Sequence, residues 1–512
     1  MELLIVGLDG LSYNMLERFD IDLPYLNETR EEGVSGHLMS VDTPTTIPAW
    51  TSFATGKDPG SHGVSNMLRQ GPDYEVGPSE PNTTDAAAYD LFDDSVFVNL
   101  PASVGRVPAA DNAHLVAAML AKDKADAVPD HLKDLDAYDD YILDHDRSLK
   151  MRPEKYLDHV LEISTNRYRF AKEAFETYDP RVGFVLFSTP DWAGHILSNL
   201  SSDAKREQFY TQLVELVDEK TAQLAEQADN VVLMSDHGFE YKHTNIHLAE
   251  WLADEGYFVE EASATGAADV AVDAAKAVAK RSDRLYSVIR KVHNLIMGTE
   301  VGSKLESAAS PQIDYPNSQA WQVRYGCIYV NDARFDHPQV DDPDALRREV
   351  RDGLRSLTTD DGEPVFRDVV LPEEAYADPG PNAPDVIARP AQHLFPTTLW
   401  SPTGGVTSPT SNYEHRYRGL FAARGPLFES GGATVEGMNI VDVLPTVMAA
   451  LGDPLSPEFD GAVREETLAS PGELSYLDAD DVPAALTRED DLGSENRDEA
   501  VQERLADLGY LE

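Results

Sequence analysis

The chain has 512 residues, enough to bury a large core and to form two or three domains, or one large α/β domain with insertions. Hydrophobic residues at 42% and aromatics at 8% exclude wholesale disorder. The 91 Asp and Glu outweigh 42 Lys and Arg for a formal net charge of −49, which argues against duplex nucleic acid and anionic membranes as partners.

The carboxylates are spread along the whole length and form no single acidic tail. That pattern fits a solvated acidic surface of the kind adapted to molar salt, where a short Debye length screens self-repulsion, and we expect a halophilic archaeal source. Cys327 is the only cysteine, so neither a disulfide framework nor a thiolate metal cage is available. The chain opens MELLIVGLDG, without a basic n-region, and no run of 18 apolar residues occurs anywhere. A cytoplasmic protein without a membrane span is the expectation.

In chain order, LLIVGL (3–8) reads as a buried parallel strand followed by Asp9-Gly10. The stretch TPTTIPAWTSFATGKDPGSHGV (43–64) then crowds threonines into a proline-bounded turn ahead of a helix-like run. Two readings fit: the hydroxyls cap the helix, or one of them is a nucleophile at its N-terminus. SVFVNL (95–100) is a second buried strand, and the acidic DYILDHD (140–146) lacks the spaced ligands and glycine of a calcium loop, so it reads as surface. A long amphipathic helix is predicted over 153–178, a strand VGFVLFS over 182–188, a second helix over 204–227, and a strand NVVLMS over 230–235. Strands alternating with helices predict an α/β fold, a mostly parallel sheet sandwiched by helices.

Beyond residue 260 the character changes. Residues 261–312 are Ala-rich and helical in pattern, with a local cluster of Lys and Arg. Strands are predicted at 320–331 and 363–371 around a helix at 343–357, and 261–382 reads as an inserted smaller α+β or cap region. YRGLFAARG (417–425) returns as a strand, and NIVDVLPTVMAALG (439–452) as a helix closed by Gly452. The expected organisation is a discontinuous core of 1–260 and 383–467, the insertion 261–382, and an acidic tail 468–512 whose last apolar residues either dock as a short helix or stay solvated.

In an open parallel sheet, ligands bind beyond the carboxyl ends of the strands. The residues that follow the predicted strands are Asp9 after LLIVGL, Asp191 and His195 (PDWAGH) after VGFVLFS, and Asp236 and His237 (DHGF) after NVVLMS. With 91 acidic residues a single Asp–His pair means little, but three strand ends delivering an Asp to one edge is a constellation. Asp and His ligands without thiolate suit Zn²⁺ or Mn²⁺, and the number of ligands suits two ions. Two such ions clamp an in-line displacement at phosphorus and can activate a threonine hydroxyl.

These stretches, with EHRYRGLFAARGP, occur in an order that resembles the alkaline phosphatase superfamily, most closely the type I phosphodiesterase/nucleotide pyrophosphatase family, over residues 3 to 465. The resemblance implies an alkaline-phosphatase-like fold and Thr46 as nucleophile. It implies one divalent ion on Asp9, Thr46, Asp236 and His237 and another on Asp191, His195 and His415, Zn²⁺ being expected and Mn²⁺ the alternative. His415 rests on the resemblance alone. The implied substrate is a small phosphate ester, a diester or phosphoanhydride. A phosphomonoesterase, a phosphonate hydrolase, a phospho-group transferase and a non-catalytic binding protein are the rivals. The family's Asn after the turn proline is Ala49 here, which weakens the case for a nucleotide, and Thr46 cannot mature to the formylglycine of sulfatases. His62 and Trp50 read as structural, and Lys242, His243 and His247 as a solvated loop near the site.

Overall fold

A strand without polar alternation needs cover on both faces, and Leu3–Leu8 (β1) is buried at every position. The computed structural model describes residues 1–79, 85–101, 103, 105–117, 127–260, 313–359, 361–398, 400–401, 405–484 and 486–487. Within them β1 belongs to a nine-stranded sheet. Its other strands are Val34–Met39 (β2), Asp94–Leu100 (β3), Asn112–Ala117 (β4), Ala127–Val128 (β5), Val182–Phe187 (β6), Asn230–Met234 (β7), Arg418–Arg424 (β8) and Ala433–Asn439 (β9). The order is β9-β2-β8-β7-β1-β6-β3-β4-β5.

β7, β1, β6, β3 and β4 are parallel neighbours. β8 runs antiparallel to both β7 and β2, β9 is parallel to β2, and β5 ends the sheet antiparallel to β4. Alternate residues of the central strands, among them Leu3, Ile5, Phe184 and Met234, pack with Trp50, Phe53, Val443 and Val447 of the helices Thr46–Thr55 and Val443–Leu451. The intervening Leu4, Val6, Val185 and Leu233 are equally buried, so the opposite face is covered as well. There the helix Pro153–Tyr178 packs on β3 and β6 and pairs with the helix Asp203–Ala225. The expected α/β class is therefore the observed one. Gly7 is required by this packing, since a Cβ there would lie 2.6 Å from the Trp50 and Leu186 side chains.

The chain divides into two compact units. The first takes Met1–Met67, Pro78–Glu240 and the described residues from His415 on, and holds the large sheet. The second takes Leu68–Gly77 and Tyr241–Glu414. It contains a four-stranded antiparallel sheet in the order Ala320–Gln322, Cys327–Val330, Val386–Pro390, Phe366–Val370. The helix Pro343–Arg355 packs on it through Leu346, Val350 and Leu354. The stretch 320–331, expected as one strand, is a hairpin because Tyr325 and Gly326 both adopt positive φ and turn the chain. The predicted helical character of 261–312 and the closing segment of the acidic tail lie outside the described residues. Among the described residues, no helix is long and apolar enough to cross a membrane.

Candidate active site

Sheet register explains how the first three strand ends converge. Gly7 pairs with Met234, so two residues further on Asp9 stands level with Asp236. Leu8 pairs with Phe187, and the chain then turns at Ser188 into the helix Thr189–Ile196. Asp191 lies in that helix's first turn and His195 four residues later, which puts both on one face. β8 contributes from the opposite sense. Because it runs antiparallel to β7, its beginning, not its end, lies at this edge, and His415 reaches it just ahead of Arg418.

Two groups of potential ligands result, Asp9–Asp236–His237 and Asp191–His195–His415, the ligand atoms of each lying within 4.8 Å of one another. In the first, His237 Nε2 is 3.2 Å from Asp236 Oδ2 and 3.6 Å from Asp9 Oδ1. All three residues are buried, and these three atoms have no hydrogen-bond partner. Asp236 Oδ1 accepts the Gly10 amide at 3.2 Å. In the second, His415 Nε2 is 3.1 Å from both Asp191 Oδ1 and His195 Nε2. His415 Nδ1 lies 2.9 Å from the Pro44 carbonyl, to which it donates, so the lone pair of Nε2 faces the group.

Electrostatics say the same. Burial, with the charges of Asp236 and Asp191, holds Asp9 well above the usual carboxylate range. Burial and Asp191 push Asp236 up to about 7. For Asp191 burial acts upward, but the facing imidazoles of His195 and His415 prevail and hold it low. Burial pushes His195 down to about 3 and holds His237 well below the usual imidazole range. Neutral imidazoles beside carboxylate oxygens, unpartnered and fully buried in the first group and crowded by two imidazole nitrogens in the second, form a donor set that a divalent cation satisfies and that is otherwise costly to bury. The residues fit two metal ions.

Thr46 opens the helix Thr46–Thr55 and is 9% exposed. Capping does not explain these threonines. Thr45 occupies the N-cap position yet makes no side-chain cap bond, and Thr46 already lies inside the helix. The Ala49 amide is bonded to the Thr45 carbonyl, whereas the amides of Thr46 and Ile47 precede the first helical bond and remain for an anion. Ala49 itself is wholly buried in the core with Trp50 and Phe53.

The structure brings together Asp9, Asp236 and His237, and likewise Asp191, His195 and His415; it puts Thr46 two residues past Pro44 in the same unit. His62 is wholly buried: its Nδ1 accepts the Val64 amide at 3.2 Å and its Nε2 meets the Ser52 hydroxyl at 2.8 Å, a structural arrangement. Trp50 is a core residue. Lys242 and His247 are buried within the strand Gly238–His247 and belong to no solvated loop; only His243 is exposed in the expected manner. DYILDHD is not plain surface either, because Tyr141 and His145 are buried. The buried Arg167 ties this segment down through the carbonyls of Leu143 at 3.0 Å and Ile142 and Leu186 at 3.4 Å. Sequence reasoning passed over Gly10 and Phe239. The Phe239 ring stands 4.9 Å from His415 and 5.0 Å from His195, an apolar wall among the imidazoles, and its place directly after Asp-His-Gly was the available signal.

A family model described as type I phosphodiesterase/nucleotide pyrophosphatase matches residues 3–419. No curated protein matches the chain. Similar solved structures include murine ectonucleotide pyrophosphatase/phosphodiesterase 5 as an inactive variant in complex with AMP, with TM-score 0.47 and 16% identity over 92% of this chain and 100% of that one. The same murine protein gives TM-score 0.46 at 16% identity, and its human counterpart 0.47 at 14%, each over 92% of this chain and 100% of the other.

Proposed function

The chain belongs to the type I phosphodiesterase/nucleotide pyrophosphatase family, and from that membership we propose that it hydrolyses small phosphate diesters or phosphoanhydrides with Thr46 as nucleophile and two divalent ions, Zn²⁺ before Mn²⁺. The observation that carries the reading is the pair of metal-competent groups, one wholly buried and the other made of buried Asp191 and His415 with half-buried His195, the second being tied to the threonine turn through the Pro44 carbonyl. Asp9, Asp236 and His237 would hold one ion, with Thr46 completing its ligands, and Asp191, His195 and His415 the other. When bound, such ions lower the pKa of a hydroxyl and neutralise charge on a phosphoryl group.

The chain's own groups account for the rest. The Thr46 hydroxyl attacks phosphorus, its Oγ1–P bond forms as the bond to the leaving alcohol breaks, and the alcohol departs with a proton. Water then attacks the phosphothreonine, the Oγ1–P bond breaks, and Thr46 regains its proton. The amides of Thr46 and Ile47, at the positive end of the helix dipole, face charge that builds on a phosphoryl oxygen. Pro44, through its carbonyl, fixes the ring of His415 and so couples the turn to the second group. With alanine at position 49, no side-chain amide stands there to hold an oxygen, which favours substrates other than nucleotides.

The test is turnover of a panel of nitrophenyl mono- and diesters by the purified protein, with elemental analysis alongside. We expect diester hydrolysis, close to two divalent ions per chain, and loss of turnover on chelation. Thr46→Ala should stay folded, keep most of its metal and lose several orders of magnitude in rate, with no phosphoenzyme trapped by acid. Thr45→Ala should still form the phosphoenzyme. An active preparation without divalent metal would sink the two-ion reading, and near-full activity in Thr46→Ala would sink the nucleophile.

A further inference from the structure

The parallel ladder between β3 and β6 pairs Ser95 through Val98 with Val182 through Val185 and stops there. The next residue of β3, Asn99, has φ +69 and is 1% exposed. On its other side the register with β4 slips between Val98 and Leu100, so Asn99 is the extra residue of a bulge. A left-handed backbone is unfavourable for a residue with a Cβ, and at a buried position it persists only where the surroundings hold it. Here the carboxamide reaches across to β6. Its Nδ2 donates to the Leu186 carbonyl at 3.0 Å and to Ser188 Oγ at 3.2 Å. From the opposite neighbour, β1, the Asp9 amide donates to the Phe187 carbonyl at 3.1 Å, so the turn after β6 is gripped from both sides.

What that grip prevents is written in the sequence of the turn. Ser188-Thr189-Pro190-Asp191 has the spacing of a capping box, with proline in the first helical turn. In such a box the serine oxygen accepts the amide of the acidic residue, whose carboxylate folds back onto the serine amide. The box is not formed. Ser188 has helical φ −80 and ψ −8 where a cap is extended, and its side chain makes no cap bond. Its Oγ is engaged by Asn99 instead, while Asp191 Oδ1 stands 3.1 Å from His415 Nε2 and 3.6 Å from His195 Nε2. The local sequence would draw the Asp191 carboxylate back to Ser188; the second ligand group requires it to face the two imidazoles.

We propose that Asn99 is a positioning residue of the second ligand group. By holding Ser188 Oγ and the Leu186 carbonyl, it keeps the start of the helix out of the capping box and leaves the Asp191 carboxylate for a metal ion. The inference deepens the proposed function and rests on its two-ion reading. It also accounts for the strained backbone: glycine would adopt φ +69 without penalty, but only a residue with a donor side chain can hold both oxygens.

Two measurements test this. In the first, metal-stripped wild type and Asn99→Gly are titrated with Zn²⁺ by calorimetry, in KCl that keeps both folded. Glycine preserves the backbone conformation and removes only the carboxamide. Wild type should bind two ions, and Asn99→Gly should bind one as wild type does and the other about tenfold or more weakly. Adding Ser188→Ala to Asn99→Gly removes the hydroxyl that completes the box and should recover most of the lost affinity, which a merely structural defect would not do. Asn331→Ala is the control: it deletes a wholly buried carboxamide that holds the Tyr315 and Ser318 carbonyls, and both ions should stay. Wild-type affinity for both ions in Asn99→Gly, or no recovery in the double variant, overturns the proposal. In the second, crystal structures of the metal-stripped wild type and Asn99→Gly are compared. The variant should show Ser188 Oγ on the Asp191 amide and the Asp191 carboxylate withdrawn from His415; an unmoved Asp191 overturns the proposal. If wild type binds fewer than two ions, the two-ion reading fails, and the pair of crystal structures still decides what Asn99 holds in place.

Discussion

Gly10 offers a sharp test of how the two ligand groups depend on one backbone turn. It follows Asp9 at the end of β1 with φ +70, its amide donates to Asp236 Oδ1 at 3.2 Å, and a Cβ there would lie 3.1 Å from Asp191 Cα and 3.1 Å from the Phe239 ring. Gly10→Ala carries a left-handed penalty of about 1–2 kcal/mol. The contact with Asp191 is with backbone, which cannot rotate away, so the turn and the Asp191 helix must separate by a few tenths of an ångström. Relief of that contact adds about 1 kcal/mol, for a total of about 2–3 kcal/mol. Movement of Asp191 disturbs one group and weakening of the Gly10–Asp236 bond disturbs the other, so a single methyl should loosen both ions. Gly256→Ala is the control, because Gly256 has φ +78 and nothing within 4 Å of its added Cβ. Urea unfolding should show Gly10→Ala losing at least 1 kcal/mol more than Gly256→Ala. Elemental analysis after dialysis should show metal depleted only in Gly10→Ala. Equal stability of the two variants, or two ions retained in Gly10→Ala, would refute the reasoning.

Two further outcomes follow from charge. Burial pushes Asp90 up to about 6 despite the amides of Ala87 and Ala109 that donate to it. The folded state then holds that proton more tightly than the unfolded chain, so the contribution is complete below about pH 4 and is lost as pH rises through 6. A shift of about two units corresponds to about 3 kcal/mol. The stability difference between wild type and Asp90→Asn should therefore move in the variant's favour by up to that amount between pH 4 and 7.5, and a pH-independent difference in urea unfolding would exclude it. A net charge of −49 should make the melting temperature climb with KCl into the molar range, as we propose for a protein from a halophile; equal stability in dilute buffer would remove that proposal and leave the site untouched.

Much of the core was legible because its signals are local. LLIVGL became a strand at its expected bounds, the 153–178 pattern became the helix Pro153–Tyr178, and Gly452 closed the Val443–Leu451 helix at φ +74. A parallel strand buried on both faces has to be an apolar run, and parallel neighbours end at the same edge, so Asp9, Asp191 and Asp236 could be assigned to one place before any fold was known. β2 escaped notice because VSGHLM mixes polar and small residues, its middle being half-exposed or exposed. His415 could not be derived from the predicted parallel strands, since it lies at the end of the strand Thr407–Arg416, just ahead of β8, and the antiparallel setting of β8 carries that junction to the site. The buried state of His145, Lys242 and His247 was equally invisible. A polar residue's burial depends on partners outside its own segment, such as the Ser408 hydroxyl 2.7 Å from His247. Sequence alone marked Asp9, Asp191, His195, Asp236 and His237 as candidate ligands and the strands that precede them, because periodicity and residue chemistry are local properties. Tertiary structure decided strand direction, register and the partners of buried polar groups, because those are set by contacts between segments hundreds of residues apart.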